Sequence, residues 1–217
     1  MDREQRWHTI EQERRRLADL LATLADEEWD RPSLCEGWRV RDVAAHVSLA
    51  PQPPDLLDMV VWAVRARGRF HRLNHDIAVV HADARPAAGL VADLRTHAAS
   101  RRLPPFTNNR NILFDTMVHA QDIAIPLHRN HPMPVTAAAE GATRVWTMGW
   151  PFWSRRRLSG YRLVATDVEW SVGSGALVTG PIEALLLLLT GRRVALDRLS
   201  GPGAEALTTT LDEHHKA

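Results

Sequence analysis

Ile112-Leu113-Phe114-Asp115-Thr116-Met117-Val118-His119-Ala120-Gln121-Asp122 reads as the middle of a helix that begins near Asn109, reaches Ile125 and is ended by Pro126. Asp115 and His119 are separated by just over one helical turn, so both project from one face, close enough to share a small ligand. His46, closing the run Val43-Ala44-Ala45-His46, is the leading candidate for a third ligand. Two imidazoles and a carboxylate form the ligand set of an open Zn²⁺ or similar divalent site, with a fourth position left for water or substrate. His71 and His75 have the same spacing and compete as a metal pair, although the polar residues in Phe70-His71-Arg72-Leu73-Asn74-His75 suit an exposed face.

Working outward, Trp7, Ile10, Leu17, Leu20, Leu21 and Leu24 recur at three- and four-residue steps, which predicts an amphipathic helix over 3–24. Asp30-Arg31-Pro32-Ser33-Leu34-Cys35-Glu36-Gly37 is a loop. Val40, Val43 and Val47 mark a second helix, stopped by Pro51, and Leu56, Met59, Val60 and Ala63 mark a third. Further helices are expected over 70–81 and 86–98, and Pro134 opens one that reaches Trp150. From Gly160 the period changes. Val168, Trp170 and Val172 alternate with polar residues, Gly173-Ser174-Gly175 supplies a turn, and Ala176-Leu177-Val178 is expected to return as the second strand of a hairpin. Pro181 begins a Leu-rich helix capped by Gly191, Arg192 to Leu196 form a short strand or turn, and His214 and His215 belong to a polar tail. The fold expected is mainly α: an antiparallel helical bundle over 1–155, then a small α+β domain over 156–217, with Leu17, Leu21, Val43 and Ile112 in the bundle core.

The chain has 217 residues, 45% of them hydrophobic, enough for one substantial core or a larger domain joined to a smaller one. Its formal charge of +1 is interspersed, which argues against nucleic-acid and membrane partners, and the triplets Arg14-Arg15-Arg16 and Arg155-Arg156-Arg157 read as solvated faces. A single cysteine, Cys35, excludes an intrachain disulfide, and the charged start Met1-Asp2-Arg3-Glu4 is unlike a signal peptide, so the cytoplasm is the expected compartment. The apolar run Ala184 to Leu189 is too short to span a bilayer and reads as a buried helix.

Several segments resemble a known family. Leu17 to Leu24, the loop Asp30 to Gly37 with Trp38, and Val40-Arg41-Asp42-Val43-Ala44-Ala45-His46 are similar to the amino-terminal signature of the mycothiol-dependent maleylpyruvate isomerase family, within the DinB-like superfamily of metal-binding four-helix bundles. Asp115 to Ile123 resembles its second metal motif, and Ala165 to Trp170, Gly180-Pro181 and Leu189-Thr190-Gly191-Arg192 resemble its small second domain. The resemblance implies metal ligation by His46, Asp115 and His119, and mycothiol, an actinobacterial thiol, as cosubstrate. One departure is Asp115, where the isomerase pattern has glutamate; the shorter side chain requires a closer approach to the metal or ligation through water.

The chemistry so implied is a metal-held thiolate that attacks a small electrophile, giving either cis–trans isomerisation or S-transfer. Arg192 matches the family's Gly-Arg element and is the candidate to bind a substrate carboxylate through its planar fork, with a solvated arginine as the alternative. Asp122 can orient His119 or Arg41. Trp38 and Trp170 read as core anchors, and Cys35 as part of a structural loop without a base. A reading from another class is a non-catalytic metal- or ligand-binding protein on the same scaffold.

Overall fold

Asp2 caps the first helix: its Oδ1 accepts from the Gln5 N–H at 2.8 Å, while Gln5 Oε1 accepts from the Asp2 N–H at 2.8 Å, satisfying two donors that a helix start leaves free. The resulting α1 (Arg3–Leu21) turns Trp7, Ile10, Leu17 and Leu21 inward. The computed structural model describes residues 1–52, 70–104 and 107–216, with the side chains of 70–72 and 212–216 outside that description. The helix expected around Leu56 to Ala63 lies outside the described residues.

Residues Asp2–His131 form one compact unit. Besides α1 it contains α2 (Val40–Leu49), α3 (Phe70–Ala84), α4 (Ala87–Thr96) and α5 (Asn109–Ala124). α1 packs on α4 and α5, and α2 packs on α3, α4 and α5. The shared core holds Leu17, Leu21, Val43, Leu90, Leu94 and Ile123, and Ile112 is buried as well. Each such side chain contributes about 1.5–3 kcal/mol by leaving water, which makes this core the main cohesive element of the bundle.

Pro132–Ala217, together with Met1, form the second unit. The helix α6 (Val135–Thr147) packs on α8 (Ile182–Leu189) within it, so the packing units divide after His131, whereas the sequence changes period near Gly160. Ala137, Ala138, Gly141 and Ala142 give α6 a face of small side chains on which the wide leucine-rich α8 can lie closely. A short helix, α7 (Ser154–Arg157), leads into the sheet.

The sheet corrects the expected hairpin. Its strands β1 (Gly160–Ala165), β2 (Ser171–Gly173) and β3 (Gly175–Gly180) are ordered β2-β1-β3. β1 pairs antiparallel with β2, Leu163 opposite Val172, and parallel with β3, Leu163 opposite Val178. Gly173-Ser174-Gly175 therefore carries the chain across the start of β1 instead of folding β3 back on β2. Gly173 and Gly175 have φ of +77° and +118°, and a Cβ on either would overlap the carbonyl oxygen of Tyr161 or Gly160. The glycines that signal a tight turn are used here for close backbone approach. Residues 168 and 170, expected in a strand, lie in the bend that joins β1 to β2.

Beyond α8, Gly191 takes φ +90° and its N–H donates to Leu188 O at 3.0 Å, the expected cap. Arg193–Arg198 form a 3₁₀ helix, and His214 and His215 lie in the last turn of helix α9 (Ala204–Lys216), which also carries the buried Leu207. Among the described residues no helix is long and apolar enough to cross a membrane.

Candidate metal centre

α2 begins where the Arg39 N–H donates to Asp42 Oδ2 at 2.8 Å, and Val40, Val43 and Val47 fasten its inner face to the core. His46 lies in the last turn of this helix and is half-buried. α5 is started by Asn108, whose Oδ1 accepts from the N–H groups of Arg110 at 3.0 Å and Asn111 at 3.1 Å. Because α2 packs on α5, His46 meets the Asp115/His119 face.

The Asp115 carboxylate stands between the two imidazoles: His46 Nε2 is 3.5 Å from Oδ2, and His119 Nε2 is 3.5 Å from Oδ1. The two rings lie 4.8 Å apart, centroid to centroid, at 73°. These separations are long for hydrogen bonds and close to the edge, about 3.3 Å, of a tetrahedron of ligands around a zinc-sized ion. One donor atom from each of His46, Asp115 and His119 falls within 4.8 Å of the others, so the residues fit a divalent metal. The side chains are 22%, 31% and 13% exposed respectively, leaving the group open on one side.

His119 is held from behind. Its Nδ1 is 2.9 Å from Oδ2 of the fully buried Asp122, which assigns the ring proton to Nδ1 and leaves the Nε2 lone pair for a metal. The same carboxylate oxygen accepts from Cys35 Sγ at 3.0 Å, and that sulfur is 3.8 Å from His119 Nδ1. Cys35 is brought there by its loop: the Leu34 N–H donates to the Asp122 carbonyl at 3.0 Å, and the Trp38 N–H to Cys35 O at 3.0 Å. Cys35, His119 and Asp122 thus make a second group with metal-ligand spacing, sharing His119 through its other nitrogen. Burial resists ionisation of Asp115, yet the neighbouring imidazoles, His119 before His46, outweigh it and hold its carboxyl well below the usual range. Burial likewise opposes a charged His119, but Asp115 first and then Asp122 raise it well above an ordinary histidine.

Of the other residues singled out by sequence, Trp38 is half-buried and presents its ring edge-on to His46 and to His75, 5.7 Å from each, and so forms a wall of the site as well as packing on the core. His75 Nδ1 lies 3.1 Å from Asp76 Oδ1, and the side chain of His71 is outside the described residues. Trp170 donates from Nε1 to Thr143 Oγ1 at 2.9 Å. Arg41 donates to the carbonyls of Ala82 and Arg85, so Asp122 serves His119 alone of the two partners expected. Arg192 is half-buried in the second unit, with its N–H on Leu187 O at 2.8 Å and its Nη1 on Thr190 O at 2.9 Å.

The arginine triplets are not simply solvated. Arg155 and Arg156 are exposed, but Arg157 donates to the carbonyls of Leu188 and Leu189. Arg14 is 0% exposed and donates from Nη1 to Ala98 O at 3.1 Å and Ser100 O at 2.9 Å. Its burial was readable from helical period, since it lies between Ile10 and Leu17 on the inward stripe. The place of Cys35 was not, because it depends on the folding of a loop.

Residues 10–104 match the family model for the mycothiol maleylpyruvate isomerase N-terminal domain. That stretch of the bundle is thus similar to the amino-terminal domain of mycothiol-dependent maleylpyruvate isomerases. The solved structure of a mycothiol-dependent maleylpyruvate isomerase is similar over 94% of each chain, with TM-score 0.57 at 15% identity. A variant of that enzyme with a histidine replaced by alanine gives TM-score 0.58 at the same identity and coverage. The likeness establishes a common fold. No curated protein sequence matches this chain.

Proposed function

We propose that the protein is a mycothiol-dependent isomerase or S-transferase acting on a small electrophile, with one divalent metal, zinc first, held by His46, Asp115 and His119. The observation that carries this reading is the triad itself: two Nε2 atoms facing the two oxygens of one carboxylate at 3.5 Å, with the proton of one ring fixed on its far side by a buried aspartate. A metal ion there supplies a coordination position at which a thiol is a thiolate at neutral pH. Among the described residues no fourth His, Cys, Asp or Glu joins that group, which favours an enzyme over a closed binding site. Asp115 has glutamate's charge on a shorter stem, and the short span of the triad accommodates it. Asp122 holds the Nδ1 proton so that His119 keeps one tautomer through a turnover. Arg192 has a planar guanidinium suited to the carboxylate or carbonyl of the electrophile, and this role rests on the Gly-Arg element alone.

Elemental analysis after mild dialysis should find one divalent ion per chain in the parent and none in His46→Ala, with the helical circular-dichroism spectrum retained. In a cobalt-loaded sample, mycothiol should produce an intense near-ultraviolet thiolate band, and mass spectrometry should show consumption of at least one electrophile from a panel. A cobalt spectrum indifferent to mycothiol, with no electrophile consumed, would leave the non-catalytic binding protein as the better description.

A further inference from the structure

Arg14 is the one fully buried guanidinium among the described residues, and its position is not explained by ion pairing. It sits on α1, which packs against α5, and Asp115 is the carboxylate whose charge it feels. Its Nη1 is engaged by the two backbone carbonyls of Ala98 and Ser100, while Nε and Nη2, both buried, have no hydrogen-bond acceptor. Glu13, one residue earlier and also buried, takes its ion pairs from Arg16 at 2.5 Å and His131 at 3.5 Å. A lone buried cation is costly unless a nearby charge compensates it. Burial dominates and pulls the Arg14 guanidinium down to about 10, and across the α1–α5 packing the Asp115 carboxylate of the candidate metal centre offsets part of that cost.

Resting on the reading of His46, Asp115 and His119 as that centre, we propose that Arg14 is the fixed counter-charge of the site, a positioning residue that weakens cation binding and strengthens binding of an anion at the open position. The charge balance is simple. Asp115 and Asp122 bring two negative charges and Arg14 one positive, so a divalent ion leaves the assembly with one positive charge, which a single anionic ligand such as a thiolate neutralises. Without Arg14 the same anion would leave a net negative charge in a poorly solvated place. A purely structural arginine, present to satisfy the Ala98 and Ser100 carbonyls, has no such two-sided effect.

The two affinities should therefore move in opposite directions on removing the charge. Arg14→Met keeps the length of the side chain and is expected to fold, since an apolar isostere at a buried charge is often tolerated. Cobalt titration followed by visible absorption should show it binding Co²⁺ about tenfold more tightly than the parent, and azide titration of the cobalt-loaded protein should show azide bound about tenfold more weakly. Arg14→Lys, which retains the charge but not the fork, should stay within about threefold of the parent in both titrations. Unchanged affinities in Arg14→Met, or affinities that fall together, would overturn the proposal. Should Arg14→Met prove unfolded, Arg14→Lys decides alone: parent-like cobalt and azide affinities despite a lowered melting temperature support a charge effect, and a loss of either affinity refutes it. A parent protein that binds no Co²⁺ would instead dispose of the metal reading itself, an outcome separate from any difference among the variants.

Discussion

Asp122 shows how much a candidate metal centre can depend on the side chain that orients one of its histidines. It is fully buried, and one of its oxygens receives both the His119 ring at 2.9 Å and the Cys35 thiol at 3.0 Å. Asp122→Ala should lower metal affinity about 10–100-fold by freeing the His119 tautomer and rotamer, whereas Asp122→Asn, whose amide oxygen can still accept from Nδ1, should lose less. Competition with a chromophoric chelator would measure both, and equal affinities in parent and Asp122→Ala would deny the residue this role. The partnership was legible in the sequence because Asp122 follows His119 by three residues, within reach on one helix. His46 was legible only as a histidine on another helix with a similar inward face. The thiol beside Asp122 could not be read in the same way, because it needs the Leu34–Asp122 backbone bond that folds the loop onto α5; the inward place of Arg14 follows from the period of α1, but it is masked by a triplet of like charges of which only one member is buried.

At the level of elements, helices were readable and sheet topology was not, for a physical reason. A helix declares itself through its own period, and α1, α2, α4 and α5 begin and end close to the limits that their apolar spacing, caps and prolines predict. A strand acquires its partner from elsewhere in the chain, and a glycine pair between two apolar runs is equally compatible with a hairpin and with a crossing. Gly173 and Gly175 serve the crossing, where the chain passes beneath the start of β1 to pair on its other edge. Gly175→Ala combines a positive φ with overlap on the Gly160 carbonyl and should destabilise the second unit by at least about 2 kcal/mol. A hairpin turn would tolerate alanine there far better, so a melting temperature within a degree or two of the parent would argue against the observed crossing. Gly37, whose added Cβ would meet nothing within 4 Å, is a suitable control because it shares the positive φ without the overlap.

For the whole molecule, the ionic state of the triad links pH, metal and stability. In the metal-free protein His119 is raised well above its ordinary 6.5, with burial lowering it but Asp115 and Asp122 raising it further. A group whose folded value exceeds its unfolded one contributes stability fully below the unfolded value and loses it as pH rises through the folded value. Asp115, depressed below its ordinary 3.8, contributes above that value and loses its contribution as pH falls through its lower folded one. The metal-free protein should therefore keep both contributions between about pH 4 and 6.5 and lose that of His119 on going alkaline. Metal ligation through Nε2 requires the neutral ring, so binding must expel the proton that Asp115 otherwise holds there. Two opposed trends follow above pH 6.5: the melting temperature of the metal-free protein should fall, while the increment added by a saturating divalent ion should grow. Calorimetric titration at pH 7.5 in two buffers of different ionisation enthalpy should register about one proton released per metal bound, more than an ordinary histidine, already neutral there, would supply. A metal increment already constant by pH 7, with no proton released, would mean that His119 is neutral in the folded metal-free chain and that Asp115 does not pair with it in solution.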